Sequence, residues 1–308
     1  VPDRDGRLAD VAFGRINAAE YTEVRRFLGA TVGRYANRIA NGTFELDGQR
    51  FQLPINDCGA NTLHGGAEGF DRKNWTISAT GDWPAPLVAL SYLSPDGEEG
   101  YPGRLQTGLT CSISGGMELS VAFSSVTDKP TIVNLTNHSF FNLLGAEGSS
   151  GILDHRLTIP SDSYLPVEAI GIPMDGPSPV DGTPFDFRDA TLVGERLRDP
   201  DQQIHIRQGY DHCYCLPGGT TAEPRFAASI EDLSSGRTLK LFTNQPRPPI
   251  LLRQLPQRSL NRQVWPRLLS KPSSSCHKTL FASPRRYGAS ACGFHMSTIL
   301  ATISFTIC

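Results

Sequence analysis

One imidazole in a run of polar and aromatic side chains, T-N-H-S-F-F-N-L at positions 136–143, is where residue types and order first point to chemistry. Histidine is the side chain most often used to move protons near neutral pH. His138 stands between Asn137 and Ser139, two groups able to orient a ring, and Phe140 follows. A second His lies in Asn61-Thr62-Leu63-His64-Gly65-Gly66, beside two glycines where backbone can come close to a ligand. Gly209-Tyr210-Asp211-His212-Cys213 sets an acid and a His side by side, and Gly33-Arg34-Tyr35-Ala36-Asn37-Arg38-Ile39 carries two Arg four apart. Taken singly, each has a plain structural reading: His138 as a hydrogen-bonded structural His, His64 as a loop His, Asp211 as a turn or strand-start cap, each Arg as an ion-paired surface residue. Taken together, Arg, two His and an Asp suit a neutral, polyhydroxylated ligand if the fold brings them to one place.

The elements that must position these groups are strands. Thr131 to Leu135 alternates polar and apolar residues and leads into the His138 run. Phe44–Leu46 and Gln49–Leu53 flank Asp47-Gly48, a hairpin signal because the tight turn needs positive φ. Similar runs lie at Leu87–Leu93, Leu105–Ser114, Met117–Phe123, Arg156–Ile159, Tyr210–Leu216, Phe226–Ile230 and Thr238–Phe242. Short strands separated by Gly, Pro and Asp, with scarcely a helical period, mean an all-β sandwich or barrel. No repeat of fixed period is present.

The 308 residues, 39% hydrophobic with 30 Gly and 23 Pro, suit one large β domain. A net charge of −2 argues against electrostatic binding of nucleic acid or membrane by the whole molecule. No apolar run reaches the roughly 18 residues a membrane-spanning helix needs. Seven Cys without regular spacing read as ordinary thiols, and the Cys213/Cys215 pair lacks a second ligand pair for zinc. The chain starts at Val1, so a preceding segment is expected and the absence of a signal peptide says nothing about export.

The ordered blocks G-R-Y-A-N-R-I (33–39), N-T-L-H-G-G-A-E-G-F-D (61–71) with Trp75, D-G-E-E-G-Y-P-G (96–103), T-N-H-S-F-F-N-L (136–143), D-G-T-P-F-D-F-R (181–188), G-Y-D-H-C (209–213) and T-N-Q-P (243–246) resemble the aldose 1-epimerase (galactose mutarotase) family. That resemblance implies a large antiparallel β-sandwich, the galactose mutarotase-like supersandwich, over residues 1–246, here incomplete at both ends. It implies interconversion of α and β anomers of free sugars such as galactose and glucose, with no metal and no cofactor. His138 matches the general acid. Asn37, Arg38, His64 and Asp211 match residues that hold sugar hydroxyls, and Ser139 and Phe140 line the same site. Phe140 stands where relatives often have Tyr, which removes one hydroxyl. His212 alternates with Asp211 and is expected to face away. A cytoplasmic monomer is the family expectation.

The carboxyl end departs from the family. All 31 acidic residues lie at or before Asp232, and residues 247–308 hold nine Lys or Arg and no acid. The family continues after T-N-Q-P with G-V-Q-F-Y-x-G-N-F-L-x-G, a G-K-x-G turn and C-L-E-x-Q, whose Glu is the general base; none of these is present. Permitted codons for Pro249–Arg258, read one base later, give Q-F-Y-Y-G-N-F-L-N-G, and those for Leu260–Trp265 give L-T-G-K-Y-G. The C-L-E-x-Q block is not recovered in that frame. Residues 247–308 are therefore expected to be an out-of-frame translation, from a gene-model error, a sequencing error or a real lesion, and to be disordered or poorly packed. The rival is a genuine basic tail for an acidic partner. Two alternatives to the enzyme stay open: a catalytically impaired sugar-binding remnant, and a sandwich module from a carbohydrate lyase relative.

Overall fold

Residues that alternate in polarity bury their apolar half without stranding backbone polar groups by pairing laterally and turning one face inward. The computed structural model describes residues 1–146 and 151–246, with the backbone of strands Pro249–Leu252, Ala291–Cys292 and Ser297–Ile307. It is built almost entirely this way. A nine-stranded antiparallel sheet runs in the order Thr191–Leu192, Arg156–Thr158, Arg225–Glu231, Arg237–Thr243, Ser297–Ile307, Glu118–Thr127, Leu105–Ile113, Leu87–Ser94, Thr76–Gly81. A four-stranded sheet runs Ser178–Pro179, Ser163–Leu165, Tyr210–Tyr214, Pro249–Leu252. Two short helices, Ala18–Glu23 and Gln202–Arg207, start at Asn17 and Asp201, whose side chains accept backbone N–H groups. No helix among the described residues is long and apolar enough to cross a membrane. The fold is all-β with sandwich character, as the alternation requires.

Register and burial agree. Leu105 and Leu109 on one strand and Val121 and Phe123 on its neighbour turn to the same side and pack with Phe70 and Leu135. A second cluster joins Leu157, Ile159, Tyr164, Phe185, Phe187, Tyr210 and Tyr214, between the two sheets' strands. The predicted hairpin closes at Asp47 and Gly48, with φ of 51° and 76° and Glu45 opposite Arg50.

The run from Thr131 to His138 is not one strand. Thr131–Ile132 pairs with Ala291–Cys292, Asn134 forms a parallel bridge with Tyr35, and Thr136–His138 pairs with Ala30–Val32. The alternation breaks because Thr131 and Ile132 are both buried. The backbone then finds partners in another segment: Asn134 N–H donates to Arg34 O at 2.9 Å, and Ala36 N–H donates to Asn134 O at 2.8 Å.

Most of residues 247–308, the expected out-of-frame tail, lies outside the described residues. The three strands described there are paired: Ser297–Ile307 between Glu118–Thr127 and Arg237–Thr243, Ala291–Cys292 on Thr131–Ile132, and Pro249–Leu252 on Tyr210–Tyr214. Ser297–Ile307 has the composition for that place, being rich in Thr and Ile.

Candidate active site

Four short segments meet around His138. Its strand pairs in antiparallel register with Ala30–Val32, Ala30 opposite His138, and Gly29 N–H donates to His138 O at 3.1 Å. This pairing draws in Phe27, two residues upstream of Gly29. Arg38–Ile39 pairs with Thr62–Leu63, and just beyond it Asn37 and His64 grip each other. His64 N–H donates to Asn37 O at 3.0 Å, and Asn37 N–H donates to His64 Nδ1 at 3.0 Å. Both residues sit in the left-handed region, with φ of 64° and 51°. That conformation is uncommon outside glycine but several-fold enriched in Asn and His.

Because His64 Nδ1 accepts a hydrogen bond, its neutral ring carries the proton on Nε2. Burial, then His138, Arg38 and Arg25, bring its pKa down to about 3, so it stays neutral at physiological pH. Its ring meets His138 edge-on, centroids 5.2 Å apart. Phe140 lies 5.0 Å from the His138 ring and Phe27 5.7 Å. Burial also pulls His138 below the ordinary imidazole value, partly offset by its own backbone and by the charges of Asp211 and Asp71. A depressed value makes its protonated form a stronger acid.

The remaining wall comes from Tyr210–Tyr214. Tyr210, His212 and Tyr214 are buried on one face, leaving Asp211 and Cys213 on the other. Cys213 Sγ accepts from Asn37 Nδ2 at 3.8 Å, which ties this strand to the His64 corner. Asp211 is paired with Arg207, whose Nε donates to it at 3.1 Å. His212 faces away: its Nδ1 accepts from Asp211 N–H at 3.2 Å, and its Nε2 lies 3.1 Å from Gln203 Oε1.

Arg38 Nε donates to Asp57 at 2.8 Å, and its Nη1 reaches Asn37 Oδ1 at 3.4 Å. Gly171, at φ 80°, lies between Arg38 and Arg207; a Cβ there would come within 2.9 Å of the first guanidinium and 3.0 Å of the second. Asn37, Arg38, His64, His138, Phe140 and Asp211 are thus linked through one contact network. Ser139 follows His138, with its N–H held by Asn137 Oδ1 at 3.1 Å.

Sequence reasoning missed Phe27, Arg25 with Asp71, Asp57 and Arg207. Arg25 forks onto Asp71 at 2.6 and 2.7 Å. Arg25, Arg38 and Arg207 therefore each carry a carboxylate partner. The wall is rich in donors yet close to neutral, a setting for hydroxyls rather than phosphates. Among the described residues no group of three or more His, Cys, Asp or Glu is placed to hold a metal ion. A groove of about 780 Å³ lined by Leu197, Asp201, His205 and Gln208 shares none of these side chains. That groove lies apart from the paired histidines.

The aldose 1-epimerase family profile matches residues 1–248, a span that includes every candidate residue. The chain belongs to the aldose 1-epimerase family. It is 45% identical over 246 residues to the galactose mutarotase of Sus scrofa, covering 80% of this chain and 68% of that one. It is 38% identical to the aldose 1-epimerase of Escherichia coli K12, covering 80% and 69%. Among solved structures, the galactose 1-epimerase of Lactobacillus acidophilus superposes with a TM-score of 0.75 at 27% identity, covering 98% of this chain and 86% of that one. An aldose 1-epimerase family member with this sandwich leaves no place for the lyase-module alternative. The reading as an impaired sugar-binding remnant draws no support from these comparisons, whose relatives carry the names of the enzymes.

Proposed function

We propose that the protein is a mutarotase that interconverts the α and β anomers of free hexoses such as galactose and glucose, acting as a cytoplasmic monomer. His138 gives its proton to the ring oxygen while a base takes the proton of the C1 hydroxyl. The C1–O5 bond breaks, C1–C2 rotates, and the hydroxyl re-adds to the other face of the carbonyl. Asn37, Arg38, His64 and Asp211 hold the sugar hydroxyls, and Ser139 and Phe140 line the same space. The observation that carries this reading is the edge-on pair of His138 and a neutral His64, set among arginines that each have a carboxylate.

The C-terminal family block that supplies the base Glu has no counterpart, since no acidic residue follows Asp232. We assign this to a frame change near the Pro246 codon. Sequencing the transcript there tests it: an intact frame encoding this same tail overturns it. The activity is tested by polarimetry on fresh α-galactose and α-glucose. Accelerated relaxation that His138→Ala removes is the expected result; full speed in His138→Ala overturns the assignment of the acid.

A further inference from the structure

Phe27 has no part in the proton transfers, yet its placement is tightly constrained. It is an aromatic residue at φ 57°, a region where bulky side chains are outliers and which persists where the surroundings over-determine it. Its carbonyl accepts from Ala30 N–H at 3.1 Å, one step from the pairing of Gly29 with His138. Behind the ring, the Arg25 guanidinium lies 4.6 Å from the centroid. Arg25 is itself locked by Asp71 and by the carbonyls of Gly66 and Ala67 at 2.9 and 3.0 Å. In front, the ring meets His64 at 4.7 Å and His138 at 5.7 Å, while Phe140 touches the His138 ring as well. The ring is partly buried and belongs to none of the buried clusters among the described residues.

Resting on the reading of His138 as the acid, we propose that Phe27 is a positioning residue for that imidazole: it and Phe140 close two sides of the ring and hold its proton toward the sugar ring oxygen. The backbone conformation follows from this role, because it is what turns an aromatic side chain back over the strand that carries His138. Arg25, through its stacking, keeps the Phe27 ring from swinging out. The titratable and charged groups around His138 are His64 beside it, Arg25 with its partner Asp71 on the Phe27 side, Arg38 on the His64 side, and Asp211 across the site. Removing the Phe27 ring changes none of these charges. It changes only how tightly the imidazole is aimed and how much water reaches it.

The test compares Phe27→Ala, Phe27→Leu and Phe27→Tyr with His138→Ala, by polarimetry of α-galactose across pH, with thermal melts alongside. Phe27→Ala is expected to lower kcat about 10- to 100-fold with little change in KM, the scale on which a misaimed catalytic group acts. The alkaline limb of its kcat profile is expected to move to higher pH, because an imidazole that regains water holds its proton longer. Phe27→Tyr is expected to restore both, and Phe27→Leu to fall between; Phe27→Leu also serves if the alanine variant does not fold. If His138→Ala is inactive while Phe27→Ala keeps both kcat and its pH limb, the positioning role is wrong and the acid assignment stands. If His138→Ala runs at full speed, the acid assignment itself is wrong. Activity lost strictly in step with melting temperature, without rescue by Phe27→Tyr, also overturns the proposal.

Discussion

The central sheet and the site rim use the same antiparallel pairing at two very different lengths. Leu105–Ile113 and Glu118–Thr127 pair over nine successive positions, and their apolar residues close a core from both strands. The ribbons that carry the site are two or three residues long: Ala30–Val32 on Thr136–His138, and Arg38–Ile39 on Thr62–Leu63. Long pairing holds itself by cross-strand contacts and burial. Short pairing does not, so the rim is held by left-handed residues, side-chain-to-backbone hydrogen bonds and Arg–Asp pairs. Folding free energy sits mainly in the sheet, and aim sits in the rim. Substitutions should therefore separate into those that change rate and those that change stability.

The sharpest break of that division is His138→Ala. Loss of a positioned acid lowers the rate by about 10²–10⁴-fold, and a half-buried rim side chain should leave the melting temperature almost where it was. A melt shifted by more than a few degrees would mean the rim supports the sheet. A comparable gain in rate, again about 10²–10⁴-fold, is expected when residues 247–308 are replaced by the family-frame C-terminal blocks with their Glu. Polarimetry on both proteins measures it, and equal rates would show that the base comes from elsewhere in the chain.

Phe185→Ala tests the other side. Its ring is fully buried, stacked at 4.2 Å on Tyr164 and meeting Tyr210 and His212 edge-on at 5.5 and 4.6 Å. A cavity of that size destabilises by about 3–5 kcal/mol, read as a lowered urea midpoint. The folded fraction should keep its KM. A KM that rises while the midpoint holds would place Phe185 with the rim instead.

The same division explains what could be read from the residues alone. Leu105–Ile113 was legible because buried and more exposed positions alternate along most of it. Leu87–Ser94 and Arg237–Thr243 were legible as short apolar runs between turn residues, although their burial does not alternate. Thr76–Gly81 escaped notice: it is an edge strand, almost wholly exposed, with no apolar face to alternate. The six-residue helix Gln202–Arg207 is too short to show a period, and with it went Arg207, the partner of Asp211. Family blocks picked out His138, His64, Arg38 and Asp211. Arg25 and Phe27 precede the first block, and nothing in the run Val24-Arg25-Arg26-Phe27 signals that a ring would be turned back between two histidines.

Histidines give the finest test, because the chain has imidazoles in both regions. His212 is shut into the sheet side, its pKa brought down to about 4 chiefly by burial, against an ordinary value of 6.5. The folded protein keeps it neutral, while the unfolded chain takes up the proton as pH falls below 6.5. Unfolding therefore binds a proton in the window from 6.5 to 4, and stability must fall on acidification there, by at most about 1.4 kcal/mol per pH unit from this group. Above 6.5 its contribution is complete, and below 4 both states are protonated and no further loss follows. His212→Leu removes the titration while Gln203 Oε1 still accepts Val167 N–H at 2.7 Å. Relative to the variant, the wild-type urea midpoint should fall progressively as the pH drops from 6.5 to 4. Parallel curves would mean that water reaches His212 in the folded state, and the sheet would then be no better sealed than the rim.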